Sequence, residues 1–484
     1  MYSLWKETIN MPEFEPLSGD IKTDVLIIGG GITGILCAYT LKQAGVDYML
    51  VEADRICSGV SQNTTAKITS QHGLIYHKLL RRFGTEKTRM YLEANQLALD
   101  VYCKLCQTID CDFEHKDNFV YSMDKARKLE QELEALHKIG CFGSFPLQPS
   151  VSAPSFVQPS QSAQPSLPLS VELVEHLPLP FPVAGAVKFE NQAQFHPLKF
   201  LSHLATGLHI YEHTKVQELA EQMYLGQEVH GPITGHQAYR KHIAATAHGN
   251  ITADKIIIAT HFPILNKHGM YFLKMYQHRS YVMALENALD VNGMYVDEAD
   301  KGLSFRNYGN LLLLGGGSHR TGKHGGNWEE LSAFAGKYFP DAKEQYRWAT
   351  QDCMTLDEVP YIGPYSRNTT GLYTATGFHK WGMTSAMTAA MLLRDMILEK
   401  ENPYAPAFTP SRTMLRPQLF INAFEATANL LTPTGKRCPH MGCALKWNPV
   451  ERTWDCPCHG SRFTKDGELI ENPATDDLTS KHRG

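Results

Sequence analysis

A multidomain α/β protein is the fold class that the sequence predicts, and three observations predict it. The chain has 484 residues, 43% of them hydrophobic, more than one ordinary core accommodates. From Asp24 an apolar run, a glycine-rich turn, a helical pattern and a second apolar run follow one another (DVLIIGGGITGILCAYTLKQAG, then YMLVE), which is a strand–helix–strand unit. Further apolar strands and a long helix come later, and four of the eleven cysteines gather between Cys438 and Cys458.

In the first unit Gly29, Gly31 and Gly34 stand at G-x-G-x-x-G spacing, after the strand and at the start of the helix. Gly29 permits the tight turn, Gly31 lets the backbone approach a pyrophosphate, Gly34 allows close helix packing, and the helix N-terminus faces the phosphates. Glu52 closes the second strand, where a carboxylate accepts hydrogen bonds from an adenosine ribose. The fingerprint predicts a dinucleotide site and does not choose between FAD and NAD.

Residues 84–109 and 123–140 read as helices, the second with Lys and Glu at helical spacing on a solvated face. The Pro, Ser and Gln-rich stretch 144–169 reads as an irregular surface insertion. KIIIAT at 255–260, YVMALE and LLLLGGG read as strands, and Thr384 to Glu399 as a helix. Residues 406–437 form a Pro-punctuated, helical connector to the cysteine boxes.

A net charge of −4 and a pI near 6.6 give no basic field for nucleic acid or an anionic membrane surface, and no charge run exceeds a few residues. The first residues lack a secretory signal, and no apolar run approaches the ~18 residues of a membrane span. The expectation is a cytoplasmic protein with a small-molecule substrate, without nucleic acid and without a transmembrane segment. In that reducing compartment the cysteines are buried, metal-bound or redox-active rather than a disulfide framework.

Cys438 with His440, and Cys456 with His459, make two ligand pairs. Two thiolates and two imidazoles suit tetrahedral zinc, and they suit equally a Rieske [2Fe-2S] centre, in which two histidines replace two cysteines on one iron. Cys103, Cys106 and Cys111 have no histidine near them in sequence and read as core cysteines.

Four later segments carry a resemblance. SGVSQNTTAKITSQHG from Ser58, KIIIATHFP, DEVPYIGP from Asp357 and GLYTATGFHKWGMTSAMTAA from Gly371 stand in the order used by the D-amino-acid/glycine oxidase (DAO) family of FAD-dependent oxidoreductases. The chain resembles that family over residues 20–405. The resemblance implies an FAD-binding Rossmann-like domain of the GR2/DAO type, interleaved with an antiparallel-sheet substrate domain. It adds Thr65, Gly377, Trp381, Gly382, Met383 and Thr384 to the glycines and Glu52 as FAD contacts. Gly377 and Gly382 allow close approach to the flavin ring, and Thr384 can cap a helix whose N-terminal dipole faces the N1/O2 edge. Lys67 and His72 fall in a segment placed against the flavin, where Lys67 is a candidate for stabilising charge. Arg279, Tyr281 and Arg306 are candidates for gripping a substrate carboxylate.

CPHMGC and CPCHGS closely resemble the two cluster-binding loops of Rieske proteins. This implies that Cys438, His440, Cys456 and His459 bind a [2Fe-2S] cluster and that Cys443 and Cys458 form a disulfide. Residues 438–484 are then a small all-β domain, shortened because a helical stretch, LRPQLFINAFEATANLL, stands where strands are expected, and its cluster is expected to be poorly enclosed. Phe463 replaces a tyrosine donor found in high-potential relatives, whereas Ser461 keeps its hydroxyl. Together the two resemblances imply a dehydrogenase. An amine or amino acid reduces FAD by hydride transfer, and electrons pass singly to the cluster and leave through His440 and His459 to an acceptor protein or small carrier. The alternative is an electron-carrier or redox-sensing iron–sulfur flavoprotein with no dedicated substrate.

Overall fold

The computed structural model describes residues 3–141, 169–225, 238–265 and 268–478. The insertion expected at 144–169 lies almost wholly outside the described residues. Among the described residues, no helix is long and apolar enough to cross a membrane.

The apolar strand Ile21–Ile28 lies between Tyr48–Val51 and Gly249–Ile258, all parallel. Leu372–Thr376 adds a further parallel strand, and Tyr361–Pro364 an antiparallel edge. The helix Ile32–Gln43 and the helix Gly382–Ile397 bury almost continuous apolar faces over this sheet. Parallel strands buried on both faces explain why the sequence reads as apolar runs here rather than as alternation.

A second, mostly antiparallel sheet runs in the order Lys343–Thr355, Met275–Glu286, Leu311–Arg320, Ser304–Tyr308, Met294–Asp297, Glu114–Ser122, Gly185–Gln194 and Lys67–Ile68. Its strand Met275–Glu286 alternates by face. Tyr276, His278 and Ser280 line a cavity, while Gln277 and Arg279 bond residues of the C-terminal domain. A register shift between Arg279 and Tyr281 turns this strand relative to its neighbour.

The helix expected from 84 starts earlier, at Tyr76, because Gly84 bends it with φ 77° and the helical pattern restarts beyond. The connector does contain a helix, Pro417–Leu431. Beyond it lies a small antiparallel sheet, Lys446–Asn448, Thr453–Asp455, Arg462–Thr464 and Leu469–Glu471.

This small domain is docked on the larger one by a buried polar layer. Arg279 donates to Glu451 at 3.0 Å and Glu471 at 3.1 Å, and Arg462 bonds Glu451 at 2.8 Å and Asp455 at 3.1 Å. Burial alone would raise the Glu451 carboxyl, but Arg279 and Arg462 overcome it and hold it at about 2.

Candidate functional site

The G-x-G-x-x-G turn has the packing its spacing predicts. Gly29 has φ 110°, and a Cβ there would lie 2.7 Å from the Ala259 carbonyl oxygen. A Cβ on Gly34 would lie 1.9 Å from the Gly29 oxygen, so only glycine lets the helix sit this close to the turn. Gly31 precedes the helix and offers no side-chain cap; the Ile32 amide donates to the Ser61 hydroxyl at 2.9 Å, and the turn lines a cavity through Gly29, Gly31, Ile32 and Thr33. Glu52 reaches the same turn, accepting from the Gly30 amide at 2.6 Å and the Asp54 amide at 3.1 Å. This cradle fits the pyrophosphate and ribose of FAD.

The cavity encloses about 1280 Å³. It extends from Glu52 past Thr65, Lys67 and His72 to Gly377, Trp381, Gly382 and Met383, so these expected FAD contacts share one space. The loop before the helix Gly382–Ile397 is strained: His379 and Lys380 both adopt positive φ, 50° and 72°. Thr384 does not cap that helix. Its hydroxyl donates to the Thr69 carbonyl at 3.0 Å and meets His72 Nε2 at 3.0 Å, because its position inside the first turn directs it at the neighbouring segment. His72 stacks on Trp381, ring centroids 5.0 Å apart, and its other nitrogen bonds Tyr91.

Lys67 remains a cavity residue. Burial, with Arg306 nearby, pulls its amine down to about 7. The three candidates for carboxylate recognition are engaged elsewhere. Arg306 is buried and donates to the Ala66 carbonyl at 2.7 Å and the Phe195 carbonyl at 3.4 Å, which turns it into a brace between segments. Arg279 is neutralised by Glu451 and Glu471. The Tyr281 hydroxyl bonds Glu451 at 3.1 Å and His319 at 2.9 Å and is committed to the domain junction.

Sequence reading missed the polar groups that do line the cavity from the second sheet. His278 and Asp352 are directly opposed across neighbouring strands, and Lys380, bonded to Ser318 at 3.2 Å, approaches them from the strained loop. Burial pushes the Asp352 carboxyl up to about 6 against the pull of Lys380. The available signal was the runs of consecutive polar residues QHRS and TQD inside the two strands.

The two cysteine boxes fold alike. Gly442 N donates to the Cys438 carbonyl and Gly460 N to the Cys456 carbonyl, both at 2.9 Å, with φ 75° and 91° at the two glycines. Cys438 N bonds the Cys443 carbonyl, and Cys456 N the Ser461 carbonyl. Cys443 and Cys458 are joined in a disulfide. The sulfurs of Cys443, Cys456 and Cys458 lie within 4.8 Å of one another, but the disulfide takes two of these out of metal chemistry.

The remaining donors suit a [2Fe-2S] cluster. Cys438 and Cys456 share a hydrogen bond between their thiols, and the Ser461 hydroxyl also bonds Cys438. The His440 and His459 rings are 4.9 Å apart. His459 Nδ1 is buried with no hydrogen-bond partner while the ring bonds the Phe272 backbone, the arrangement of an imidazole anchored at one nitrogen to ligate with the other.

Two expectations change here. The site is enclosed, with Cys438, Cys456 and His459 all buried, because the larger domain supplies the cover that the short sheet lacks. The histidine edge also faces inward. Phe262 lies 6.4 Å from the His440 and His459 rings and Phe272 6.2 Å from His459. Gln277 donates to the His459 carbonyl and Gln351 to the Gly460 carbonyl, each at 2.8 Å, and Arg320 bonds the Pro457 and Cys458 carbonyls at 3.1 Å. Cys106 and Cys111 bring their sulfurs to 3.5 Å within the larger domain, without histidine or further thiol ligation.

The chain is 33% identical to the Rieske 2Fe-2S iron-sulfur protein YhfW of Bacillus subtilis (strain 168), over 97% of this chain and 95% of that one. It is 23% identical to gamma-glutamylputrescine oxidoreductase of Escherichia coli (strain K12), over 79% of this chain and 85% of that one. Among solved structures, glycine oxidase from Geobacillus kaustophilus shares the fold with a TM-score of 0.60 at 18% identity, covering 81% of this chain and 99% of that one. The family model for FAD dependent oxidoreductases matches residues 24–396, and that for the Rieske [2Fe-2S] domain matches residues 420–481. The chain therefore belongs to the FAD dependent oxidoreductase (DAO) family, binding FAD in that region and a [2Fe-2S] cluster in a C-terminal Rieske domain.

Proposed function

We propose that this flavin oxidoreductase is a dehydrogenase of an amine or amino-acid-like small molecule. When bound, FAD supplies a hydride acceptor and the [2Fe-2S] cluster a one-electron carrier, so the pair converts a two-electron oxidation into single-electron delivery to an acceptor protein or small carrier.

The glycine turn and the first-turn amides of Ile32–Gln43 hold the pyrophosphate, and Glu52 accepts from the ribose. Thr65, Gly377, Trp381, Gly382 and Met383 line the flavin space, and Thr384 anchors it through Thr69. Cys438, His440, Cys456 and His459 hold the cluster.

Asp352 and Lys380 give the cavity one acidic and one basic group, complementary to the ammonium and carboxylate of an amino acid. Lys67 Nζ, with its amine near neutrality in pKa, takes a proton from the substrate ammonium and leaves the nitrogen lone pair free. Leu469 and Ile470 of the Rieske domain add an apolar wall.

One observation carries the reading. His261 lines the cavity, and the next residue, Phe262, packs against both cluster histidines. A single turn of chain thus separates the substrate room from the ligand edge. An isolated carrier or sensor has no use for paired opposite charges in a room of this size.

Anaerobic mixing with a panel of amino acids and amines tests the proposal. The expected result is flavin bleaching followed by the electron paramagnetic resonance signal of a reduced Rieske centre. A panel in which no member bleaches the flavin favours the carrier reading, and bleaching with a persistently oxidised cluster overturns the internal transfer.

A further inference from the structure

The helix Pro417–Leu431 is amphipathic in reverse. Its polar residues Asn422 and Asn429 are buried. Asn422 Oδ1 accepts from Arg320, and the Asn429 carbonyl from the Ala444 amide. Its apolar side chains point outward, with Phe420 68%, Phe424 72% and Leu431 77% exposed, in register on one face. Met441, between the ligand His440 and Gly442, is exposed beside the last turn of this helix, which Arg437 ties to the ligand loop by bonding both the Leu430 and Gly442 carbonyls.

The charge around this face is one-sided. Between residues 413 and 450 the sole acidic residue is Glu425, bonded to Lys323, whereas Lys436, Arg437 and Lys446 are exposed. The overall charge of −4 conceals this local basic segment.

We propose that this face binds an anionic lipid surface, with Phe420, Phe424 and Leu431 entering the interface and Lys436 and Lys446 pairing with the headgroups. The Rieske domain then sits with its first ligand loop against the membrane. A second copy of the chain fits less well. In a twofold pairing of the helix on itself, the Lys436–Arg437 end of one copy meets the Arg416 end of the other, basic against basic.

Co-sedimentation of the full holoprotein with phosphatidylcholine vesicles, with and without phosphatidylglycerol, tests this. Binding is expected only with phosphatidylglycerol, and the double variant Phe420→Ser, Phe424→Ser should weaken it about tenfold or more. Lys436→Gln with Lys446→Gln should weaken it as well and reduce its salt dependence. The visible spectra of flavin and cluster should be unchanged in all variants, since these side chains are exposed. No binding to phosphatidylglycerol vesicles, or full binding by the Phe variant, overturns the proposal. So does a vesicle-free dimer that the Phe variant dissociates, which would assign the face to a second copy.

Discussion

Phe262 meets His459 nearly edge-on, with ring centroids 6.4 Å apart and planes at 65°. The histidine edge of the cluster site is thereby turned toward the flavin-binding region, and the protein's own interior is the first thing an electron at that edge encounters. Replacing Phe262 with Ala should open this contact to water. Anaerobic stopped-flow mixing should show flavin bleaching at the wild-type rate and slower reduction of the cluster; equal cluster rates would mean that Phe262 is packing alone.

Ser461 bonds the Cys438 sulfur, and a hydrogen bond to a ligand sulfur stabilises the extra charge of a reduced cluster. Ser461→Ala should lower the potential by about 40 mV, taking one hydrogen bond as ~1 kcal/mol for a one-electron couple. Phe463, buried beside the cluster cysteines, offers no such donor. Protein-film voltammetry gives the comparison.

The Glu451 carboxyl, held at about 2 in the folded state against 4.5 ordinarily, links stability to pH. A depressed carboxylate contributes fully above its unfolded pKa, and the contribution is lost as pH falls from about 4.5 toward 2. Glu451→Gln should therefore be less stable than the wild type at pH 7, with the difference shrinking through that acid window. Removing Arg279 instead leaves Glu451 short of a buried partner, for a cost of about 3 kcal/mol. Chemical denaturation across pH checks both.

A methyl group at residue 34 has nowhere to go, since it would sit 1.9 Å from the Gly29 oxygen. Gly34→Ala should push the helix Ile32–Gln43 off the turn and yield protein with little flavin after gel filtration. A cluster retained in that variant would show that the effect is local; full yellow colour would remove the glycine turn from the FAD site.

Lys67 should govern the pH dependence of flavin reduction. Its amine, pulled down to about 7, loses its proton as pH rises through that value, so the bleaching rate should climb across neutrality. Lys67→Met should flatten that limb of the profile, while Lys67→Arg should lower the rate throughout. An unchanged profile in Lys67→Met assigns the titration elsewhere.

The glycine turn, the cluster loops and the order of strands were legible because each depends on local spacing. Gly29 and Gly34 must be glycine for contacts within one short unit, and CPHMGC and CPCHGS announce their shared turn by repeating it. Arg306 misled because a strand arginine reads the same whether it faces a ligand or a carbonyl; its partners, Ala66 and Phe195, come from distant segments. The enclosure of the cluster was hidden for the same reason. Gln277 and Gln351 carry no local mark of being a lid, and a shortened domain looks bare until the surface it leans on is known. His278 and Asp352 escaped because their meeting depends on strand pairing between residues 74 positions apart in the chain.

The stretch Leu469 to Asp477 supplies the last strand of the small sheet and also one wall of the cavity, a room that begins at the glycine turn. Every other residue lining that room precedes it in the chain. During synthesis the flavin-binding half therefore emerges with its room open on one side, and the room closes only when the iron-binding half has been made and has settled on it.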